Sequence, residues 1–163
     1  MNCWRWSMAA LTVLAVGLTA PSARAHEDRH EHHSPLSVTI AFGAGLNTTG
    51  AANHHVVPQN IRIQTGGVVN FAVAGLHQVS VYLPGKAPED VVVPDTGTFI
   101  DDTDQLYYGG INPTGTPPTG ISNAQNRVES VSFSDPGTYL VICNIRTHFL
   151  NGMYAFVTVE DPE

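Results

Sequence analysis

Beyond its first 25 residues the chain has one cysteine, almost no helical periodicity, no long apolar run and few positive charges. Each shortage excludes something. The one long apolar stretch, Met8 to Leu18, is 11 residues long; it follows Arg5 and precedes Pro21 and the small-residue triplet Ala23-Arg24-Ala25. That order is a secretory signal peptide, and the stretch is too short for the roughly 20 residues of a membrane-spanning helix. Residues 1–25 are therefore expected to be removed, leaving a protein that starts near His26, is not inserted in a membrane, and is periplasmic or secreted. Cys3 lies inside the leader and away from any cleavage boundary, which argues against a lipid anchor on it. The 138 residues left are enough for one domain and not comfortably for two.

Arg5 and Arg24 go with the leader, so 5 of the 7 basic residues face 14 acidic ones, a formal charge of -9. Such a surface disfavours nucleic acid and anionic lipid and favours a metal cation or a basic protein partner. Catalytic patterns are missing too. There is no Ser-His-Asp order, no glycine loop to cradle phosphate and no catalytic carboxylate pair, so the chain does not read as an enzyme. Asp101, Asp102 and Asp104 lack the glycine and distal glutamate of an EF-hand loop and read as a solvated acidic patch.

A lone thiol in an oxidising compartment, here Cys143, has no internal disulfide partner. It is then buried and inert, paired between chains, or occupied by a metal. Its neighbours favour the metal. The segment YLVICNIRTHFLNGMYAFVTVE spaces Cys143, His148 and Met153 at equal intervals of five between two strand-like runs. Thiolate, imidazole and thioether select copper over magnesium or calcium, and two histidines and a cysteine with a weak axial methionine form the blue-copper set. The second histidine is offered by VVNFAVAGLHQVSVY, in which His77 opens an alternating apolar run and is the only histidine between His55 and His148. The bland alternatives are that Met153 fills a core gap and that His77 merely begins a buried strand.

What is present elsewhere is strand pattern. Glycine and proline make up 26 of 163 residues, and short apolar runs, several with period two, recur between turn signals. Strands are predicted at 36–42, 56–64, 67–74, 76–83, 128–134, 137–143 and 153–160, joined by turns such as Thr65-Gly66-Gly67 and Asp135-Pro136-Gly137. An all-β sandwich follows. Two segments stand apart. Residues 26–35 begin HEDRHEHH, with no apolar position in that octet, and read as a disordered tail in which His26, His30, His32 and His33 either bind a second metal or simply solubilise. Residues 84–127 form a long excursion with seven glycines or prolines in its second half; a short helix or hairpin is expected in it, and Tyr107-Tyr108 would pin it to the body. His54 and His55 are adjacent and would point to opposite faces of a strand, so they do not easily share one metal, and at least one of them reads as a solvated surface residue.

With these residues in view the chain resembles the cupredoxins, the blue-copper family of plastocyanin, azurin and rusticyanin. Pro58, Ile61, Ile63, Gly66, Val69 and Phe71 follow the family's rhythm toward the first histidine, Pro136-Gly137-Thr138-Tyr139 leads into the cysteine, and Gly152-Met153 opens the closing strand. The resemblance spans residues 56–83 and 128–159. It implies a two-sheet Greek-key β-sandwich over residues 36–163 with the long loop inserted. It also implies one copper ion, Cu(I)/Cu(II), held by His77, Cys143, His148 and Met153, with Gln78 and Asn144 beside the ligands. Gln78 stands where many members have asparagine. Asn144 stands where a multicopper oxidase would have histidine, and no His-x-His pair lies in the folded part, so no trinuclear oxygen-reducing centre is built. The implied role is a monomeric one-electron carrier whose His148 faces a redox partner, a basic cytochrome or a copper enzyme. Ile145, Phe149 and Leu150 would surround that exit as an apolar docking patch, with Arg146 and the acidic surface choosing the partner. The alternative is periplasmic copper binding and delivery, with the histidine tail collecting the metal.

Overall fold

The structure, a computed structural model of the chain, describes residues 34–43, 54–114 and 125–162. The expected leader, the histidines His26, His30, His32 and His33, and residues 115–124 of the excursion lie outside the described residues. In chain order the elements are β1 (Ser37–Gly43), β2 (Val56–Val57), β3 (Asn60–Gln64), β4 (Val68–Ala74), β5 (Val79–Tyr82), β6 (Leu106–Gly109), β7 (Asn126–Ser132), β8 (Gly137–Cys143), a helix α1 (Arg146–Leu150) and β9 (Tyr154–Glu160). They form two sheets, β2-β1-β4-β7 and β3-β9-β8-β5-β6. β1 runs parallel to β4 and β3 parallel to β9, while the other neighbours are antiparallel. This is the two-sheet sandwich that the resemblance implies.

Period-two alternation decides which side chains fill the space between the sheets. Val69, Phe71 and Val73 of β4 point inward, as do Ile61 and Ile63 of β3 and Ala155, Val157 and Val159 of β9, and all are buried. The two inner strands of the second sheet break the alternation: every residue of β5 and Tyr139 to Cys143 of β8 are buried. Their outer faces are covered as well, by a second cluster in which Val91 and Ile100 of the excursion and Phe149 of α1 pack on Tyr82, Leu140 and Ile142. The excursion is therefore the lid of the second sheet.

Two expectations are corrected and one is met. The strand predicted at 56–64 is two strands in different sheets, separated at Pro58, which has no N–H to give a ladder. The excursion does hold a short helix, a single 3-10 turn at Pro88–Asp90, and also a strand, Leu106–Gly109, that pairs with β5; Tyr107 pins it to the body as expected, stacking on Phe133 with ring centres 5.5 Å apart and donating its hydroxyl to the Ser132 carbonyl at 2.6 Å. The acidic patch is only partly solvated. Asp101 and Asp104 are exposed, but the Asp102 side chain is 3% exposed and accepts from Lys86 Nζ at 2.7 Å and from the Val92 and Asp104 amides. Burial would raise its pKa; the ammonium and the amides outweigh burial and hold the carboxyl below the usual range.

This buried pair ties the excursion to itself across 16 residues. Lys86→Met leaves the Asp102 carboxylate without its counter-charge and should lower the unfolding free energy by about 3 kcal/mol. Urea denaturation measures it, and an unchanged midpoint would show that the pair does not hold the excursion in place.

Candidate metal centre

One end of the sandwich gathers the predicted ligands. β4 ends at Ala74, and Gly75, at φ +92°, turns the chain so that the His77 amide donates to the Gly75 carbonyl at 3.0 Å. β5 then pairs with β8 so that Val79 stands opposite Cys143. His77 precedes the strand rather than opening it. From Cys143 the chain does not run as an open loop. α1 folds it back, and the Met153 amide donates to the His148 carbonyl at 3.1 Å while the Cys143 amide donates to the Met153 carbonyl at 3.0 Å. The equal spacing of five thus places Cys143 at a strand end, His148 within a helical turn and Met153 just before the next strand.

The donor atoms form a tight triangle. His77 Nδ1 and His148 Nδ1 stand 3.0 Å apart, and Cys143 Sγ lies 3.7 Å from the first and 3.6 Å from the second. The point equidistant from these three atoms is about 2.0 Å from each, the length of a metal–imidazole bond and a little short for a metal–thiolate bond. The donors fit a small soft-to-borderline ion. Cys143 and Met153 are fully buried, His77 is 3% exposed and His148 is half-buried.

The back of each ligand is held. The Cδ2 and Nε2 atoms of His77 rest on Gly43, where a Cβ would come within 2.9 Å of both and within 2.3 Å of the Ala74 carbonyl oxygen. Glycine at that position lets the ring seat with Nδ1 facing inward. Arg127 donates to the His77 carbonyl at 3.0 Å and to the Ile111 carbonyl at 3.0 Å, and it pairs with the buried Glu129. Glu129 in turn accepts the Tyr108 hydroxyl at 2.7 Å. Gln78 and Asn144 are joined twice: the Asn144 amide donates to the Gln78 carbonyl, and its side chain to Gln78 Oε1 at 3.2 Å. Gln78 also donates to the Gly110 carbonyl, and so links the cysteine loop to the excursion.

Burial sets the protonation of the set. Desolvation first, then the neighbouring imidazoles, pushes His77 down to about 4; desolvation and His54 push His148 to about 4. Desolvation pushes the Cys143 thiol up to about 11, with the amides of Gln78 and Ile145 and the Arg127 charge acting in the opposite sense. At neutral pH the imidazoles keep their lone pairs free, and the thiol gives up its proton only to a bound cation.

One sequence reading changes here. Of the expected apolar patch only Leu150 is exposed; Ile145 and Phe149 are buried in the two clusters, because α1 turns that side of the loop inward. Of the adjacent pair, His55 is the solvated residue expected, and His54 faces inward. Its ring stacks on His148 with centres 3.7 Å apart and meets His77 edge-on at 5.7 Å, whereas His55 is exposed. The rule that adjacent strand residues face opposite ways already implied that one of the pair faces in.

No protein-family description matches the chain, and no curated protein matches it. Among solved structures it is similar to a reduced auracyanin of Roseiflexus castenholzii at 19% identity, over 77% of this chain and 98% of that one, with TM-score 0.48. It is similar to oxidised plastocyanin of Dryopteris crassirhizoma at 18% identity, over 76% and 100%, with TM-score 0.45. Similarity to pseudoazurin of Methylobacterium extorquens is 20%, over 78% and 77%, with TM-score 0.42.

Gly43→Ala should displace the His77 ring and weaken metal binding at the donor triangle at least tenfold while the sandwich stays folded, as competition with a chelator and circular dichroism would show together. The depressed histidines also fix a pH dependence. Unfolding lets each take up a proton below about 6.5 that the folded chain refuses until about 4, so the stability of the metal-free protein falls as the pH drops through that window. Urea midpoints at pH 7, 5.5 and 4 measure this decline, which should be shallower in His77→Gln.

Proposed function

We propose that this chain is an exported mononuclear copper protein that carries single electrons between redox partners. The donor triangle of His77, Cys143 and His148, with Met153 buried beside it, supports the reading most directly. Copper bound by that set supplies a one-electron couple between Cu(I) and Cu(II). The chain supplies stiffness and dryness. His77 and Cys143 are anchored to paired strands, and the ligand loop is braced from outside, where the Ile100 amide donates to the Asn144 carbonyl and the Arg146 amide to the Thr98 carbonyl. Such bracing keeps the donors in place when the charge between them changes. The amides of Gln78 and Ile145 favour the thiolate once its proton has left.

His148 is the ligand nearest the solvent and is the natural exit for an electron. A basic partner, a cytochrome or a copper enzyme, suits the acidic surface. Contact near the exit would involve Leu150, which is 56% exposed, with the half-buried Arg146 beside it, its Nε held by the Pro94 carbonyl at 2.6 Å. Copper delivery is the second reading, and the histidine-rich run HEDRHEHH in the sequence favours it. Deleting residues 26–33 should leave the reduction potential unchanged in a carrier and impair copper loading in a delivery protein.

The copper-loaded protein should absorb intensely in the visible through thiolate-to-copper charge transfer and bleach reversibly on one-electron reduction. Cys143→Ser should lose that band entirely. A Cu(II) protein without the band would overturn the blue-copper reading.

A further inference from the structure

The proposed copper site leaves one imidazole at the same end of the sandwich unexplained. His54 is held there by main chain, because its neighbour His55 accepts from the Gly43 amide at 2.8 Å and the next residue, Val56, pairs with Phe42 of β1. The strand end that seats His77 therefore also fixes His54. The His54 Nδ1 atom is buried and has no hydrogen-bond partner, and it is the only such side-chain atom among the described residues. An orphaned buried acceptor or donor is costly, and an ion is one of the things that satisfies it. One ring nitrogen from each of His54, His77 and His148 lies within 4.8 Å of the other two. Even at that upper limit the centre of the three is about 2.8 Å from each, so shifts of under an ångström bring all three to the roughly 2.0–2.1 Å of a metal–imidazole bond.

We infer that His54, His77 and His148 form a second, three-imidazole metal site that overlaps the thiolate site and takes Cu(II) without Cys143. The two sites share His77 and His148 and differ in their third corner, sulfur on the core side and the His54 imidazole on the other. The chemistry of the corners differs accordingly. Thiolate and thioether suit Cu(I), whereas imidazole suits Cu(II) and Zn(II). This inference rests on His77 and His148 being ligands, as in the proposed function, and does not need the thiolate band.

The test uses the full chain with His26, His30, His32 and His33 replaced by serine throughout, so that the tail does not compete. Cu(II) alone is titrated into three proteins: this background, the background with Cys143→Ser, and the background with Cys143→Ser and His54→Phe. Phenylalanine keeps a ring stacked on His148 and removes only the nitrogens. Cys143→Ser should still bind one Cu(II), without the thiolate band, and pulsed electron paramagnetic resonance should count three coordinated imidazoles. Adding His54→Phe should lower the affinity at least tenfold and reduce the count to two. A count of two in both variants, equal affinities, or no Cu(II) binding by Cys143→Ser would each overturn the inference. Failure of the blue-copper reading is recognised separately, by the absence of the thiolate band from the Cys143-containing background.

Discussion

Val79 pairs with Cys143 across β5 and β8, and through that register a histidine and a thiol 66 residues apart come within 3.7 Å of each other. A slip of one residue would turn every side chain of β5 to the opposite face, and the His77 ring would leave the end of the sandwich. The register cannot slip cheaply, because Val79, Val81 and Tyr82 are all fully buried. Val79 and Val81 lie in the main core and Tyr82 in the cluster under the excursion. The hydrophobic packing of two faces thus fixes the position of a polar site.

The same packing makes the site's electrostatics. Two imidazoles and a thiol are placed in a region with little water, and burial is the largest cause of the shift in each of them. A charged form of any one is disfavoured, so without a metal the donors are neutral and the set as a whole repels protons and accepts a cation. Arg127 adds to this. Its guanidinium holds the His77 carbonyl and is balanced by Glu129, so the group that fixes the ligand's backbone also places positive charge near the imidazole. The excursion covers the outer face of β5 and β8 through Val91 and Ile100. The excursion is a working part of the site, joined to the ligand loop through Ile100, Thr98, Pro94 and Gly110.

Much of this was legible in the sequence, though unevenly. The strands that bury one face, such as Val68–Ala74 and Tyr154–Glu160, announce themselves by alternation, and the cysteine loop announces its three donors by spacing and chemistry. Less legible were features whose signal is a contact rather than a pattern. β6 is four residues long and exists because it finds the edge of β5. α1 is five residues long, too short for periodicity, and its turn buries Ile145 and Phe149 where an open loop would have exposed them. Asp102 looks like its exposed neighbours until Lys86 reaches it from 16 residues away.

The sequence by itself determined the layered β architecture and the donor types at Cys143, His148, Met153 and His77, because period-two burial and ligand chemistry are properties of local residue order. Tertiary structure alone decided which histidines meet. His54 lies 23 residues from His77 and 94 from His148, and it joins them only because β1, β4, β5 and α1 end at the same pole of the sandwich. Convergence of that kind depends on how the strands pair, and strand pairing is set by the burial of a shared core, which no single segment encodes.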